Sequence, residues 1–221
     1  MRRDRRPYYI KKAYIKLQKF YLNHFLRPQF DYLGKGITCF KPWHVEVFGA
    51  PIKIDDYATL IATPDQKVRF SIWSHNPNIP GIQIGKYSLI CPGVRISAAQ
   101  EITIADNCML AHAVYITDSD WHGIYDRSFP VGKSAPVYLE ENVWLGDSVI
   151  VTKGVTIHKN SIIGAGSVVI DDIPENCIAA GNPAKVVKKL DETQHFITRG
   201  EWLANPEKIS RDFDVLDREN L

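Results

Sequence analysis

The chain has 221 residues, 45% of them hydrophobic and 24% charged, with a formal net charge of +2. These values are ordinary for a globular protein. No run of about eighteen apolar residues occurs, which excludes a transmembrane helix, and the basic start is not followed by the apolar core of a secretory leader. Residues 1–24 carry eight basic side chains against Asp4, a local +7 that leaves −5 for the remainder. A basic end on a mildly acidic body does not make a nucleic-acid-binding protein. Cys39, Cys91, Cys108 and Cys177 show neither CxxC pairing nor dense spacing, so they are expected to be reduced, buried thiols of a cytoplasmic protein.

Residues 8–25 read as an amphipathic helix, with Ile10, Tyr14, Leu17, Tyr21 and Phe25 along one stripe, lysines opposite and Pro28 beyond its end. Two uses are open for it. It can cover the blunt end of the fold that follows, or lie on an anionic membrane surface through Tyr8, Tyr9, Phe20 and Tyr21. The two are compatible.

From Gln83 to Ile173 a branched aliphatic recurs every sixth residue. Ile84, Ile90, Ile96 and Ile102 open the series, and Ile104, Leu110 and Ile116 continue it. Leu139, Leu145, Val151, Ile157, Ile163 and Val169 follow after an interruption. Four residues after most of these stands a small or β-branched side chain, such as Ser88, Val94, Val143 or Ser167. A period of six fits neither an amphipathic helix nor an alternating strand and belongs to a β-solenoid. Three hexads make one triangular coil with the aliphatics pointing inward. Ile54, Ala58 and Leu60 form a degenerate hexad pair, so residues 36–80 are expected to be irregular first coils, since terminal repeats tend to be atypical. The repeat breaks once, at residues 117–138, where Thr117-Asp118-Ser119-Asp120-Trp121-His122-Gly123 opens a polar, aromatic loop. Insertions into a solenoid become loops on one face, often the binding face.

The organisation expected is therefore a helix and linker at 1–35, an all-β solenoid at 36–190 and a helical extension at 191–221. In the extension, Ile209, Phe213 and Leu216 fall at helical spacing.

The run Gly164-Ala165-Gly166-Ser167-Val168-Val169, the closing Ala179-Ala180-Gly181-Asn182-Pro183-Ala184-Lys185 and Asn142-Val143-Trp144-Leu145-Gly146 resemble the hexapeptide-repeat acyltransferases, nearest to the galactoside, maltose and O-antigen sugar acetyltransferases. The likeness covers about residues 83–190 and implies a left-handed parallel β-helix. It also implies acetyl-CoA as co-substrate without a metal, and a homotrimer whose active sites lie between subunits. His122 matches the family's catalytic histidine. Asp118 or Asp120 is a candidate to orient it, or to serve as a turn residue. Trp144 is a candidate neighbour of donor or acceptor, or a corner aromatic of the solenoid.

The same likeness puts the oxyanion donor in the backbone at Gly146 and Asp147, where this chain has aspartate in place of the family's serine. It puts Gly164, Ala165, Ile170 and Asp171 beside the pantetheine arm, and Lys185 and Lys188 near the nucleotide phosphates as point charges. The family's sugar-gripping residues have no match here; Cys91 and Ala99 occupy the aligned coils.

The chemistry needs few parts. A base must take the proton of a barely nucleophilic hydroxyl, and imidazole titrates near physiological pH. Donors must also face the developing oxyanion. The expected reaction is O-acetylation of a sugar or polysaccharide precursor, with a small amine or xenobiotic as the alternative acceptor. Carbonic-anhydrase chemistry on the same fold needs three histidine ligands, two of them five residues apart. Here His112 and His122 are ten apart, with Thr117 between them. A non-catalytic trimeric scaffold is the remaining alternative.

Overall fold

The computed structural model describes residues 7–74, 76–128 and 130–205. Helix α1 (Tyr8–Tyr21) leads into a three-sided prism of parallel strands. The first coil is β1 (Tyr32–Leu33), β2 (Thr38–Phe40) and β3 (Val45–Phe48), and the second is β4 (Ile52–Ile54), β5 (Thr59–Ile61) and β6 (Val68–Ile72). Coils three and four are β7 (Gly81–Ile84), β8 (Leu89–Ile90), β9 (Arg95–Ala98), then β10 (Glu101–Ile104), β11 (Met109–Leu110), β12 (Tyr115–Thr117). Beyond the loop, coils five and six are β13 (Val137–Leu139), β14 (Trp144–Leu145), β15 (Ile150–Val151), then β16 (Thr156–Ile157), β17 (Ile162–Ile163), β18 (Val168–Val169). A closing hairpin, β19 (Cys177–Gly181) and β20 (Ala184–Lys189), is the antiparallel exception.

Each coil gives one strand to each wall. Sheet A runs β1-β4-β7-β10-β13-β16, sheet B runs β2-β5-β8-β11-β14-β17-β19-β20, and sheet C runs from β3 to β18. Within a wall the hexad positions stand on one another: Ile84 on Ile104 and Leu110 on Leu145, with Val151 on Val169. All the repeat aliphatics from Ile84 to Val169 are buried, and so are Ser88, Val94, Val143 and Ser167. The buried hydroxyls cap main-chain carbonyls, Ser161 at Pro174 (2.6 Å) and Ser167 at Gly164 (2.6 Å). Among the described residues no buried side-chain polar atom lacks a partner. Burying one such aliphatic is worth about 1.5–3 kcal/mol, which is why the inward column tolerates so little variation.

Residues 36–80 pair as regularly as the later coils, with Ile54 on Ile84, Leu60 on Ile90 and Phe70 on Ile96. Their departure from the hexad lies in the connections between strands, because the walls themselves demand in-register rungs.

Most of the corners use a left-handed residue. Between sheets A and B these are Gly36, Tyr57 and Tyr87 in the early coils and then Asn107, Asn142, Asn160 and Asn176, the asparagines at φ of 54° to 63°, a region asparagine enters more readily than most residues. The asparagines also form a ladder: Asn142 Nδ2 donates to Asn160 Oδ1 (3.0 Å) and Asn160 Nδ2 to Asn176 Oδ1 (2.8 Å).

The N-terminal helix ends at Tyr21, earlier than its apolar spacing predicts. A wider π turn follows at Leu22–Leu26, then a 3-10 turn at Arg27–Gln29. The π turn brings both Leu22 and Leu26 inward, where they join Phe30 over the open end of the core. Tyr14 and Tyr21 each meet Trp43 edge-on at 5.9 Å. The segment therefore covers the blunt end of the prism. At the other terminus α2 (Arg199–Ala204) is capped by Thr198 and Glu201 and folds back along the prism. There Arg199 Nε donates to the Tyr87 carbonyl (2.8 Å) and the Gly200 amide to Asn107 Oδ1 (2.8 Å). The helical spacing of Ile209, Phe213 and Leu216 lies outside the described residues.

Replacing Asn160 by alanine removes two rungs of the amide ladder and puts a Cβ without a compensating hydrogen bond at φ 58°. The expected loss is about 1–2 kcal/mol, read as a lower urea midpoint with an unchanged slope.

Candidate active site

The interrupting loop leaves β12 at the corner between sheets C and A. Asp118 sits at its root, buried, and accepts three main-chain amides: Ala99 at Oδ1 and Gln100 and Glu101 at Oδ2, each at 2.7 Å. Those amides line the tight turn from β9 to β10, and the carboxylate supplies the acceptors that the turn lacks. Burial pushes the carboxyl above its ordinary range, outweighing the amides, which favour the charged form. Both oxygens are committed to backbone, so Asp118 braces the loop and does not orient the imidazole.

Asp120 is engaged elsewhere too. Its Oδ1 meets Lys153 Nζ at 2.5 Å, which ties the loop to the turn after β15, while its carbonyl accepts the His122 amide. The loop then lies back over sheet C, where Trp121 Nε1 donates to the Tyr115 hydroxyl (3.1 Å) and Arg95 covers the Tyr115 ring at 4.5 Å. His122 is left exposed on the wall of a hollow of 450 Å³, beside Asp120, Tyr125 and Lys133. Neither Asp118 nor Asp120 hydrogen-bonds its ring.

The second group of expected site residues stands at the corner between sheets B and C. Gly146 is there for packing, since a Cβ would lie 2.8 Å from the Ala165 amide and from the Ile163 carbonyl. Its own amide donates to Ile163 (2.8 Å). That rung hydrogen bond overturns Gly146 as an oxyanion donor and leaves the Asp147 amide as the candidate of the pair. The Asp147 carboxylate accepts the Ser148 hydroxyl (2.6 Å) and meets His112 Nδ1 at 3.1 Å. The Ser148 hydroxyl foremost, and then His112, hold it below the usual carboxylate range.

Sequence reasoning considered His112 only as a metal ligand and missed this contact. The signal was present, because His112 and Asp147 each stand two residues after a hexad aliphatic, Leu110 and Leu145, which are paired neighbours. Among the described residues no three His, Cys, Asp or Glu side chains converge on a metal site. Burial lifts the Cys39 and Cys108 thiols to about 12, so neither is a thiolate nucleophile.

Above Asp147 the Gly164-Ala165-Gly166 turn is open: Ala165 is exposed and a Cβ on Gly166 would meet nothing within 4 Å. Ile170 is exposed at the end of β18, next to Asp171, whose carboxylate meets Lys185 Nζ at 2.9 Å in solvent. Lys185 and Lys188 oppose Ala180 and Ile178 because a bulge shifts the β19–β20 register between Ile178 and Ala179. The shift returns both lysines to one face. Trp144 is half exposed on the outer face of sheet B, between Met109 and Ile162, away from the loop's corner. Asp147 and the Gly164–Gly166 turn thus share the corner between sheets B and C, while Ile170 and Asp171 follow the far end of β18, on the edge of sheet C from which the loop also leaves.

Comparison with known proteins accords with this architecture. Residues 136–171 match the family model for the bacterial transferase hexapeptide (six repeats). The chain is 43% identical over 157 residues to a putative acetyltransferase of Saccharomyces cerevisiae, a match spanning 64% of this chain and 80% of that one. It is 39% identical over 98 residues to the galactoside O-acetyltransferase of Escherichia coli strain K12, spanning 43% of this chain and about half (48%) of the relative. A hexapeptide-repeat-containing acetyltransferase of Vibrio cholerae, solved with acetyl coenzyme A, shares the fold at TM-score 0.51 and 21% identity, covering 80% of this chain and 79% of the other. The prism is thus a left-handed parallel β-helix. The chain belongs to the hexapeptide-repeat acyltransferase family, whose donor is an acyl-CoA.

Asp118→Ala strips the acceptor from three amides at the loop's root, two of them partly and one fully out of solvent. The expected cost is about 2–4 kcal/mol, measured by chemical denaturation, with the 118–136 loop more open to limited proteolysis.

Proposed function

We propose that this protein transfers the acetyl group of acetyl-CoA to a hydroxyl of a sugar or polysaccharide precursor, with His122 as general base, in a homotrimer whose active sites lie between subunits. The observation that carries the reading is the exposed imidazole on the 450 Å³ hollow of the one long loop that breaks the repeat. The galactoside O-acetyltransferase of E. coli supports a sugar acceptor.

Bound acetyl-CoA supplies a thioester carbon open to attack and a thiolate that leaves. The chain's own residues do the rest. A ring nitrogen of His122 accepts the acceptor hydroxyl's proton as the oxygen attacks, the role of a general base. The Asp147 amide offers a donor to the carbonyl oxygen. The open Gly164–Gly166 turn lets an extended amide-bearing arm approach backbone, and Lys185 and Lys188 present charge to phosphates from one face. Asp171 competes for Lys185, so that contact is a screened, exchangeable one.

The root of the loop, after β12, and the Asp147 turn, before β15, lie at opposite edges of sheet C, which supports a shared site. A loop from one subunit can face the Asp147 turn of the next, as a closed threefold arrangement requires of a heterologous contact.

His122→Ala should lower kcat by at least about two orders of magnitude while CoA still raises the unfolding midpoint through binding to the folded state alone; near-normal turnover would remove His122 as the base. A second measurement addresses the sharing of sites. Inactive His122→Ala subunits refolded with inactive Ala165→Trp subunits should regain about a quarter of wild-type activity, because random assembly pairs an intact loop with an intact Gly164–Gly166 turn at one site in four. No recovery would place both halves of the site within one subunit.

A further inference from the structure

Helix α1 carries a second apolar stripe that the end-capping role does not use. Ile10, Ala13, Leu17 and Phe20 recur at alternating three- and four-residue spacing, so they lie on one side of the helix. They flank Tyr14 and Tyr21, the pair turned toward Trp43. No residue of α1 is buried; Leu17 is 55% and Phe20 52% exposed, and Tyr8 and Tyr9 are still more open. Along the free edge of this stripe run Lys12, Lys16 and Lys19, with Lys11 on the remaining side and no acidic residue anywhere in the helix. The sequence just ahead adds Arg2, Arg3, Arg5 and Arg6 against Asp4.

We infer that α1 docks this protein on an anionic lipid surface, with Leu17, Phe20 and Tyr9 entering the headgroup boundary and the lysines meeting lipid phosphates. The composition of the face argues for that occupant. An apolar stripe edged by lysines, with tyrosines at one end, is the pattern of a helix lying in a membrane interface. A second copy of the chain fits less well, since two such stripes would bring lysine rows together with no carboxylate on either helix to meet them. The body is mildly acidic, so the attraction is confined to the terminus. Among the described residues no helix is long and apolar enough to cross a membrane, and contact through α1 is of the peripheral kind. The inference stands on the helix alone and is independent of the reaction proposed above.

The test is co-sedimentation of the full chain with vesicles of phosphatidylcholine containing phosphatidylglycerol, against vesicles of phosphatidylcholine alone. Binding is expected to the first only and to fall as salt is raised. The paired change Leu17→Glu with Phe20→Glu, and separately Lys12→Glu with Lys16→Glu, should each weaken it by at least about tenfold. Acetyl transfer to a soluble acceptor and the oligomeric mass should not change in either variant. Sedimentation with neither vesicle, or equally with both, overturns the inference. So does loss of the wild-type oligomeric mass in the Leu17→Glu and Phe20→Glu variant, which assigns the stripe to a neighbouring copy.

Discussion

The structure depends on the stacking of one aliphatic upon another in register, coil over coil. Side chains alternate across a strand, so a slip of one residue would turn every inward aliphatic outward. The fixed phase propagates to everything else. It places left-handed residues at most of the corners, sets which turn residues form columns on the outside, and leaves the chain free to leave the prism only where a segment carries no repeat. The protein spends that freedom once at length, between Ile116 and Leu139.

The same phase explains how much could be read from sequence. The walls were legible because the hexad aliphatics answer to burial alone, and the degenerate early coils obeyed the same rule once Ile54, Leu60 and Phe70 were stacked on their partners. The end of the N-terminal helix was less so, because the apolar spacing of a helix runs straight through a π turn that still buries Leu22 and Leu26. The loop was legible as an interruption, while its internal wiring was not. Nothing in the order of residues announces that Asp118 turns inward to Ala99, Gln100 and Glu101, or that Asp120 pairs with Lys153, because both contacts depend on how a non-repeating segment returns to a repeating surface. The amide of Gly146 was misassigned for a simpler reason. In a solenoid a backbone N–H at a rung is already spoken for, and only those just past the rung, such as that of Asp147, are candidates for other work.

Two corners divide the chemistry. The loop holds its imidazole by a buried carboxylate and an ion pair that grip its root, so the ring is carried on a braced arm although among the described residues no carboxylate hydrogen-bonds it. The opposite corner offers small residues, an open turn and two lysines brought to one side by a bulge. Aspartate in place of serine at position 147 sets a negative side chain next to the amide that would face an oxyanion. His112 and Ser148 draw that carboxylate to themselves, so the substitution and its neighbours make sense as one unit.

The fold-back at the C-terminus alters how the array comes apart. A stack of rungs in contact only with their neighbours can fray one layer at a time from an end. Here Arg199 reaches Thr59 and the Tyr87 carbonyl, and Gly200 reaches Asn107, so a single short clasp spans the second, third and fourth layers. Those layers cannot peel away singly while it holds. They release as a block, and the short helix serves as their latch.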